Sequence, residues 1–91
     1  MNFIYDPRKA AANLRKHKVS FEEAVSVFED ALSTTVPDPE HSISELRFLT
    51  LGESVRGRLL VVSHADIGED IRIISARRAT TRESKQYEKG N

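Results

Sequence analysis

Residues 58–77 read RLLVVSHADIGEDIRIISAR, in which two apolar runs, 58–64 and 70–77, flank a turn-like segment at 66–68. Branched aliphatic residues fit a pleated, half-buried surface, and two such runs joined by a glycine-containing turn are typical of a β-hairpin. Both faces of each run include apolar side chains, so we expect both faces to be partly covered. This stretch therefore predicts the interior of a sheet.

Strict alternation assigns side chains of the hairpin to faces. In the first run, one face has Arg58, Leu60, Val62 and His64. In the second run, one face has Ile71, Ile73, Ser75 and Arg77, and the other has Arg72, Ile74 and Ala76. The polar residues lie mainly at strand ends, so we expect Arg58, His64 and Arg77 near the rims of the sheet, within reach of a phosphate group.

The segments that precede the hairpin indicate two further strands. They are residues 32–36, which end at the Pro37-Asp38-Pro39 turn, and residues 47–51, which end at Gly52. A short strand-like run at residues 3–5 comes first in the chain.

Capping signals place the helices. Asp6 and Pro7 begin a first helix, on which Ala10, Ala11, Leu14 and His17 share one stripe. The capping box of residues 20–23 begins a second helix, with Phe21, Ala24, Val25 and Phe28 on its buried face, and the box of residues 80–83 begins a third. The order of elements predicts an α+β fold with a small, mainly antiparallel sheet, two N-terminal helices and one C-terminal helix.

Length and composition restrict the class of protein. Ninety-one residues predict a single domain over residues 1–91. The absence of cysteine excludes a disulfide framework and a thiolate nucleophile, and it fits the cytoplasm. The longest aliphatic run, at residues 59–62, is far too short to span a membrane, and the first residues lack the pattern of a signal peptide.

The charge is distributed unevenly although the net charge is zero. Residues 1–45 contain five Lys/Arg and eight Asp/Glu, whereas residues 46–91 contain nine and six. The sequence therefore predicts a basic C-terminal face that attracts anions, with a solvated helix of scattered charges as the alternative.

Three sequence blocks resemble the BrnT family of toxins. The first block matches at Phe3, Tyr5, Asp6, Lys9, Ala10, Asn13, Leu14, Lys16, His17 and residues 19–24. The second covers residues 47–52 with Gly57, Arg58, Leu60, Val62 and His64, and the third covers residues 71–77 with Ala79, Glu83 and Tyr87. Two positions depart from the family pattern: Lys18 stands where glycine is common, at a cost of about 1 kcal/mol for a positive φ, and Tyr5 stands where tryptophan is common.

The resemblance implies a RelE-like fold, ribonuclease activity and a BrnA-type antitoxin as the partner protein. It also implies that the toxin meets DNA only indirectly, through an antitoxin complex that represses its own promoter. RNA is the expected substrate, and no membrane partner is expected.

RNA cleavage without a metal needs a base, an acid and cations for the phosphate. We predict the catalytic residues His64, Arg58, Arg77 and Tyr87, and the RNA- and phosphate-binding residues Arg47, Arg72, Arg78, Arg82 and Lys85. No metal and no cofactor are expected. A structural histidine at position 64, an Arg72 paired with Glu83 or Asp70, and a Tyr87 that merely packs the last helix are the alternatives.

The leading hypothesis is thus a metal-independent endoribonuclease toxin that inhibits growth and is neutralised by an antitoxin. The alternative from another class is a non-catalytic module that binds RNA or a protein through the basic C-terminal face. A third hypothesis is a corepressor that acts only within a DNA-binding complex.

Overall fold

The computed structural model describes residues 1–42 and 44–90, which form a five-stranded sheet and three α-helices. The strands are β1 (Asn2–Ile4), β2 (Thr34–Pro37), β3 (Arg47–Glu53), β4 (Leu59–Ile67) and β5 (Asp70–Arg78), and the helices are α1 (Pro7–His17), α2 (Phe21–Ser26) and α3 (Thr81–Lys89). The spatial order is β1-β5-β4-β3-β2, and every pair is antiparallel except β1 with β5. The predicted α+β class, its mainly antiparallel sheet and its helix order are confirmed.

The hairpin of β4 and β5 lies at the centre of the sheet, as its apolar composition predicts. Its turn is later than expected because β4 continues to Ile67, and Gly68 adopts the positive φ of 62° that the turn needs. The pairing is also irregular: Ser63 pairs with Ser75, whereas His64 pairs with Ile73. Ile74 is therefore the extra residue of a β-bulge.

This bulge reverses the alternation of β5. Arg72 and Arg77 are five positions apart, so strict alternation assigns them to opposite faces, and that prediction is wrong. Arg72 lies across from Ala65 and Arg77 across from Val61, and both partners are on the same face of β4. The bulge thus places both arginines on one side of the sheet.

Helices α1 and α2 cover one face of the sheet, here called the helical face. The core beneath them joins residues from both helical and strand segments: Val19, Phe21, Ala24, Val27, Leu60, Val62, Ile73 and Ala76. After α2, a short 3₁₀ helix (Val27–Glu29) passes so close to β3 that a Cβ on Gly52 would meet Val27 Cγ1 at 2.8 Å. Glycine at position 52 therefore permits the close approach of the 3₁₀ helix to β3, and it is not needed there for a turn.

The opposite face, here called the α3 face, is only partly covered. Helix α3 lies against β3, and none of its described residues is buried. Leu49, Leu51 and Val61 lie on this face beside the helix. A groove remains between α3 and the sheet as a result.

The helix caps follow the sequence closely, with one exception. Asp6 and Thr80 cap α1 and α3, and the capping box at Thr80 is complete. Lys18 ends α1 with a φ of 60°, the left-handed conformation for which the glycine common at this position in the resembling family is suited. At α2 only half of the expected box forms, because the Glu23 carboxylate turns away to Arg58. Within the described residues, no helix has the length and apolar character needed to cross a membrane.

The buried side chain of α1 is a polar one that the apolar stripe did not indicate. Leu14 is 49% exposed, whereas Asn13 is buried. The Asn13 amide donates hydrogen bonds to the carbonyls of Val19 and Ala76, each at 2.9 Å, and its carbonyl accepts from the Ala76 N–H at 3.1 Å. Since β1 pairs only with Asp70, Ile71 and Arg72, this side chain satisfies the backbone of β5 further along, at Ala76, in place of a strand.

Replacement of Asn13 with alanine tests this contact. We expect Asn13→Ala to lower the free energy of unfolding by about 2–3 kcal/mol, because it leaves buried backbone groups without partners. Urea unfolding measures the loss. Leu14→Ala is the matched control on the same helix, and an equal loss in both variants contradicts the role assigned to Asn13.

Candidate functional site

The four predicted catalytic residues are divided between the two faces of the sheet. His64 and Arg58 lie on the helical face, whereas Arg77 and Tyr87 lie on the α3 face. Arg58 and Arg77 are at strand ends, as the sequence predicts, but the predicted rim position of His64 is wrong because this side chain is buried. The sheet itself separates the two pairs, because successive residues of a strand point to opposite sides.

His64 is in the core and not at a rim. It is 3% exposed, and its ring packs edge-on against Phe28 and stacks on Phe48. Its Nε2 lies 2.8 Å from the Thr50 hydroxyl, while its buried Nδ1 has no hydrogen-bond partner among the described residues. Burial lowers the pKa of His64, although the Asp66 carboxylate, 3.5 Å from Nδ1, opposes that shift. The imidazole is thus neutral and sequestered from an external phosphate.

Arg58 is bound to a buried carboxylate. Its Nε donates to Glu23 at 2.9 Å, its Nη2 donates to the same carboxylate and to the Lys18 carbonyl, and Ser54 donates to Glu23 at 2.6 Å. The hydrogen bond from Arg58 is the main cause of the lowered pKa of Glu23. These contacts connect the start of β4 to α2 and to the end of α1. Arg58 therefore joins parts of the fold.

Arg77 begins the arrangement on the α3 face. Its two terminal nitrogens donate to the two oxygens of Glu83 at 2.8 and 3.0 Å, a bidentate pair between β5 and the first turn of α3. The hydrogen bond from Arg77 lowers the pKa of Glu83 to about 2, so the carboxylate is ionised and a weak base at neutral pH. The Arg77 side chain is 41% exposed, so a solvent anion can reach it.

Tyr87 is one turn further along α3 and anchors the helix. Its hydroxyl donates to Asp30 Oδ2 at 2.6 Å. That hydrogen bond, followed by burial, raises the pKa of Tyr87 to about 12. Tyr87 is therefore protonated at neutral pH and keeps its proton as a donor.

Tyr87, Gln86 and Glu83 also form one wall of a groove of about 510 Å³. The apolar floor of this groove, here called the α3 groove, comes from Leu49, Leu51 and Val61. Its size and its combination of an aromatic wall with an apolar floor suit a flat ring such as a nucleobase. Glu83 lines this groove and is held by Arg77, so the Arg77 guanidinium lies beside the groove.

A second cationic pair lies toward the other end of the α3 face. Arg47 and Arg72 flank Ala65 in the sheet register, and both contact the same oxygen of Glu45, with the Arg47 Nε at 3.4 Å. Arg72 is about 15 Å from Arg77 along β5. The alternative partners expected for Arg72, Glu83 and Asp70, are not the ones observed.

The remaining predicted phosphate-binding residues are Arg78, Arg82 and Lys85. All three are exposed at the end of β5 or on α3, and within the described part of the chain none of them makes an ion pair. Arg82 and Lys85 line a shallow surface on α3 with Thr81, Gln86 and Lys89. These three side chains can bind anions from solvent, but they do not form a common site with the buried His64.

Sequence reasoning did not find the acidic partners Glu23, Glu45 and Asp30. Glu23 gives a local signal because it is a member of a capping box, but its carboxylate binds Arg58 instead of the helix cap. Glu45 and Asp30 give no local signal for their contacts with Arg72 and Tyr87, since these two partners are 27 and 57 residues away. Over residues 1–42 and 44–90, no group of three or more His, Asp or Glu side chains is arranged to hold a metal ion.

Comparison with known proteins identifies the relatives of this fold. A family model described as the ribonuclease toxin BrnT of type II toxin–antitoxin systems matches residues 5–83. The curated proteins include no match to the chain. The crystal structure of the Brucella abortus ribonuclease toxin BrnT is similar with a TM-score of 0.65 and 24% sequence identity, and the match covers 89% of this chain and 99% of that one. The structural likeness shows a shared fold.

The buried His64 generates a pH prediction. Its folded pKa is below the ordinary value of 6.5, so the unfolded chain binds more protons and the free energy of unfolding falls as the pH drops below 6.5. We expect His64→Gln to flatten this dependence between about pH 7 and about pH 5, as measured by urea unfolding.

The carboxylates with lowered pKa values, Glu23, Asp30 and Glu83, stay ionised over that range. The matched control is His41→Gln, which alters an exposed histidine outside the core. If His64→Gln keeps the wild-type slope, another group causes the acid sensitivity.

Proposed function

The chain belongs to the BrnT family of ribonuclease toxins of type II toxin–antitoxin systems, and we propose that it is an endoribonuclease that inhibits growth by cleaving RNA without a metal. The family match over residues 5–83 is the observation that carries this proposal. The α3 face supplies a location, because it combines an exposed bidentate arginine with a groove that suits a base.

In this proposal the scissile phosphodiester lies at Arg77. The guanidinium fork, which holds the Glu83 carboxylate at 2.8 and 3.0 Å, presents the same geometry to two phosphate oxygens. The negative charge on those oxygens increases as the 2′-oxygen attacks phosphorus and the 5′-oxygen leaves, so Arg77 stabilises the transition state. Glu83 positions Arg77 before the substrate arrives.

Tyr87 and the neighbouring cations are assigned to binding the same strand. A nucleobase in the α3 groove stacks against Tyr87, whose bound proton also makes it a donor rather than a base. Arg47 and Arg72 bind phosphates further along the strand. Arg82 and Lys85 attract RNA from the exposed side of α3, and Arg78 attracts it from the end of β5.

His64 and Arg58 receive structural roles in this proposal. His64 fixes the strands through Thr50 and the two phenylalanine rings, and Arg58 neutralises the buried Glu23. Removal of either residue is expected to act through folding. This assignment replaces the catalytic roles that the sequence suggested for them.

The partners follow from the type of system. A type II system pairs the toxin with an antitoxin protein, and we propose that this protein is of the BrnA type. We further propose a cytoplasmic site of action, where RNA is available, and contact with DNA only through the antitoxin complex.

One observation favours the alternative of a non-catalytic binding module. Arg47, Arg58, Arg72 and Arg77 each contact a carboxylate, and Glu83 is a weak base. Such a surface binds a phosphate by exchange of partners, and binding alone needs no proton transfer. RNA that is bound but yields no product distinguishes this alternative.

Cleavage of single-stranded RNA in the presence of EDTA is the first test. We expect wild-type protein to cleave, and Arg77→Gln to lower kcat by about 100-fold or more, because it removes a charged donor to the transition state. Glu83→Gln breaks the same ion pair but keeps the guanidinium, and we expect it to retain much more activity. Equal losses in these two variants, with unchanged thermal melting, contradict a direct role of Arg77.

Expression in bacteria tests the toxin role. We expect growth arrest when this chain is induced alone and normal growth when an adjacent antitoxin gene is expressed with it. Colony counts after induction measure the effect, with the Arg77→Gln variant as the inactive control. Normal growth at a high level of wild-type protein contradicts the proposal.

A further inference from the structure

Helix α1 has an unusual charge composition. From residue 7 to residue 18 the chain has Arg8, Lys9, Arg15, Lys16, His17 and Lys18 and no Asp or Glu. Arg8 and Lys9 lie in the first turn, where the helix dipole disfavours positive charge, and only the Asp6 cap offsets them. The two positive charges therefore destabilise this helix end, and the stability of the helix does not explain their presence.

The positive charge of α1 is not neutralised by other parts of the fold. None of its four Lys/Arg side chains, nor Lys18 at its C-cap, makes an ion pair with any described residue. By contrast, Glu23 and Glu45, two of the acidic residues in the first half of the chain, pair with arginines of the second half. Two carboxylates of the first half thus pair with the second half, and none pairs with the cations of α1.

Asn13 determines which of these cations approach the sheet. Its hydrogen bonds to Ala76 fix the rotation of α1, and Lys9 and Lys16 then lie beside it at helical spacing. Together with His17, Ile74 and Ser75 they line a depression of about 230 Å³, here called the Lys9–Lys16 depression. Arg8 and Arg15 are not part of it and point toward solvent.

The depression borders the α3 face at Ser75. Ser75 pairs with Ser63 in the sheet, and Ser75 and Arg77 are two residues apart on the same face of β5. The bulged Ile74 lies at the edge of the strand, beyond the last residue that β1 covers. A chain that leaves Arg77 along this face therefore reaches Lys9 and Lys16 without crossing the core.

We propose that the Lys9–Lys16 depression binds the backbone phosphates of an RNA strand whose neighbouring segment lies at Arg77. This inference rests on the proposed ribonuclease function and adds a second binding site to it. Lys9 and Lys16 are about 10 Å apart along the helix, so they contact separate phosphates. The Ser75 hydroxyl is a further donor to the strand as it passes the edge of β5.

The composition of the depression favours RNA over a protein partner. Protein interfaces are enriched in aromatic residues and depleted in lysine, especially at their centres. Here the lining consists of two lysines, one histidine and small or polar residues, with Ile74 as the one large apolar side chain among those described. Contacts of this kind position a phosphate backbone without reading its sequence.

The salt dependence of RNA binding tests the proposal. The probe is a fluorescent, single-stranded 2′-O-methyl RNA, which lacks the attacking hydroxyl and stays intact. For single strands each neutralised phosphate contributes about 0.7 to the slope of log K against log salt. We expect Lys9→Gln/Lys16→Gln to reduce this slope by about 1.4 and to weaken binding at every salt concentration.

The matched control is Arg8→Gln/Arg15→Gln, which removes two charges from the same helix outside the depression. We expect it to change the slope by less than half as much, and thermal melting confirms that both variants are folded. Equal slopes in the two variants, or a wild-type slope in the lysine variant, overturn the proposal. The proposal is also overturned if the lysine variant keeps wild-type RNA binding but loses binding of the antitoxin.

Cleavage of unmodified RNA at low salt separates this inference from the proposed function. If wild-type protein cleaves and the lysine variant has a wild-type KM at the same low salt concentration, the depression is not a binding site although the nuclease assignment holds. If wild-type protein binds no RNA, both proposals fail. We expect a raised KM with little change in kcat.

Discussion

The hydrogen bonds between the Asn13 carboxamide and Ala76 determine how the N-terminal helix and the sheet fit together. Strand β1 is too short to cover β5 beyond Arg72, so the backbone groups of Ala76 need another partner. Asn13 supplies a donor and an acceptor there and also holds the Val19 carbonyl. The rotation of α1 and the position of the Lys9–Lys16 depression both depend on this one side chain.

Charge pairing between distant segments is the second constraint. Glu23 holds Arg58 on the helical face, Glu45 holds Arg47 and Arg72 on the α3 face, and Glu83 holds Arg77. These ion pairs differ in solvent exposure, and we therefore assign them different roles. The pair at buried Glu23 fixes the structure, whereas the more exposed pairs on the α3 face can exchange a carboxylate for a phosphate.

The β-bulge at Ile74 connects these constraints to function. It brings Arg72 and Arg77 to the same face of β5, although their spacing assigns them to opposite faces. The same residue lies at the strand edge between the α3 face and α1. A local irregularity of one residue therefore sets which side chains of β5 lie on the α3 face.

The sequence alone determined those features that depend on neighbours within a few residues. The caps at Asp6 and Thr80 and the alternation of β4 were predictable, because each depends on local backbone geometry. The burial of His64, the partners of the arginines and the burial of Asn13 instead depend on segments up to 63 residues apart. Only the tertiary structure decided these, since strand register and one bulge set which side chains meet, and no local pattern contains that information.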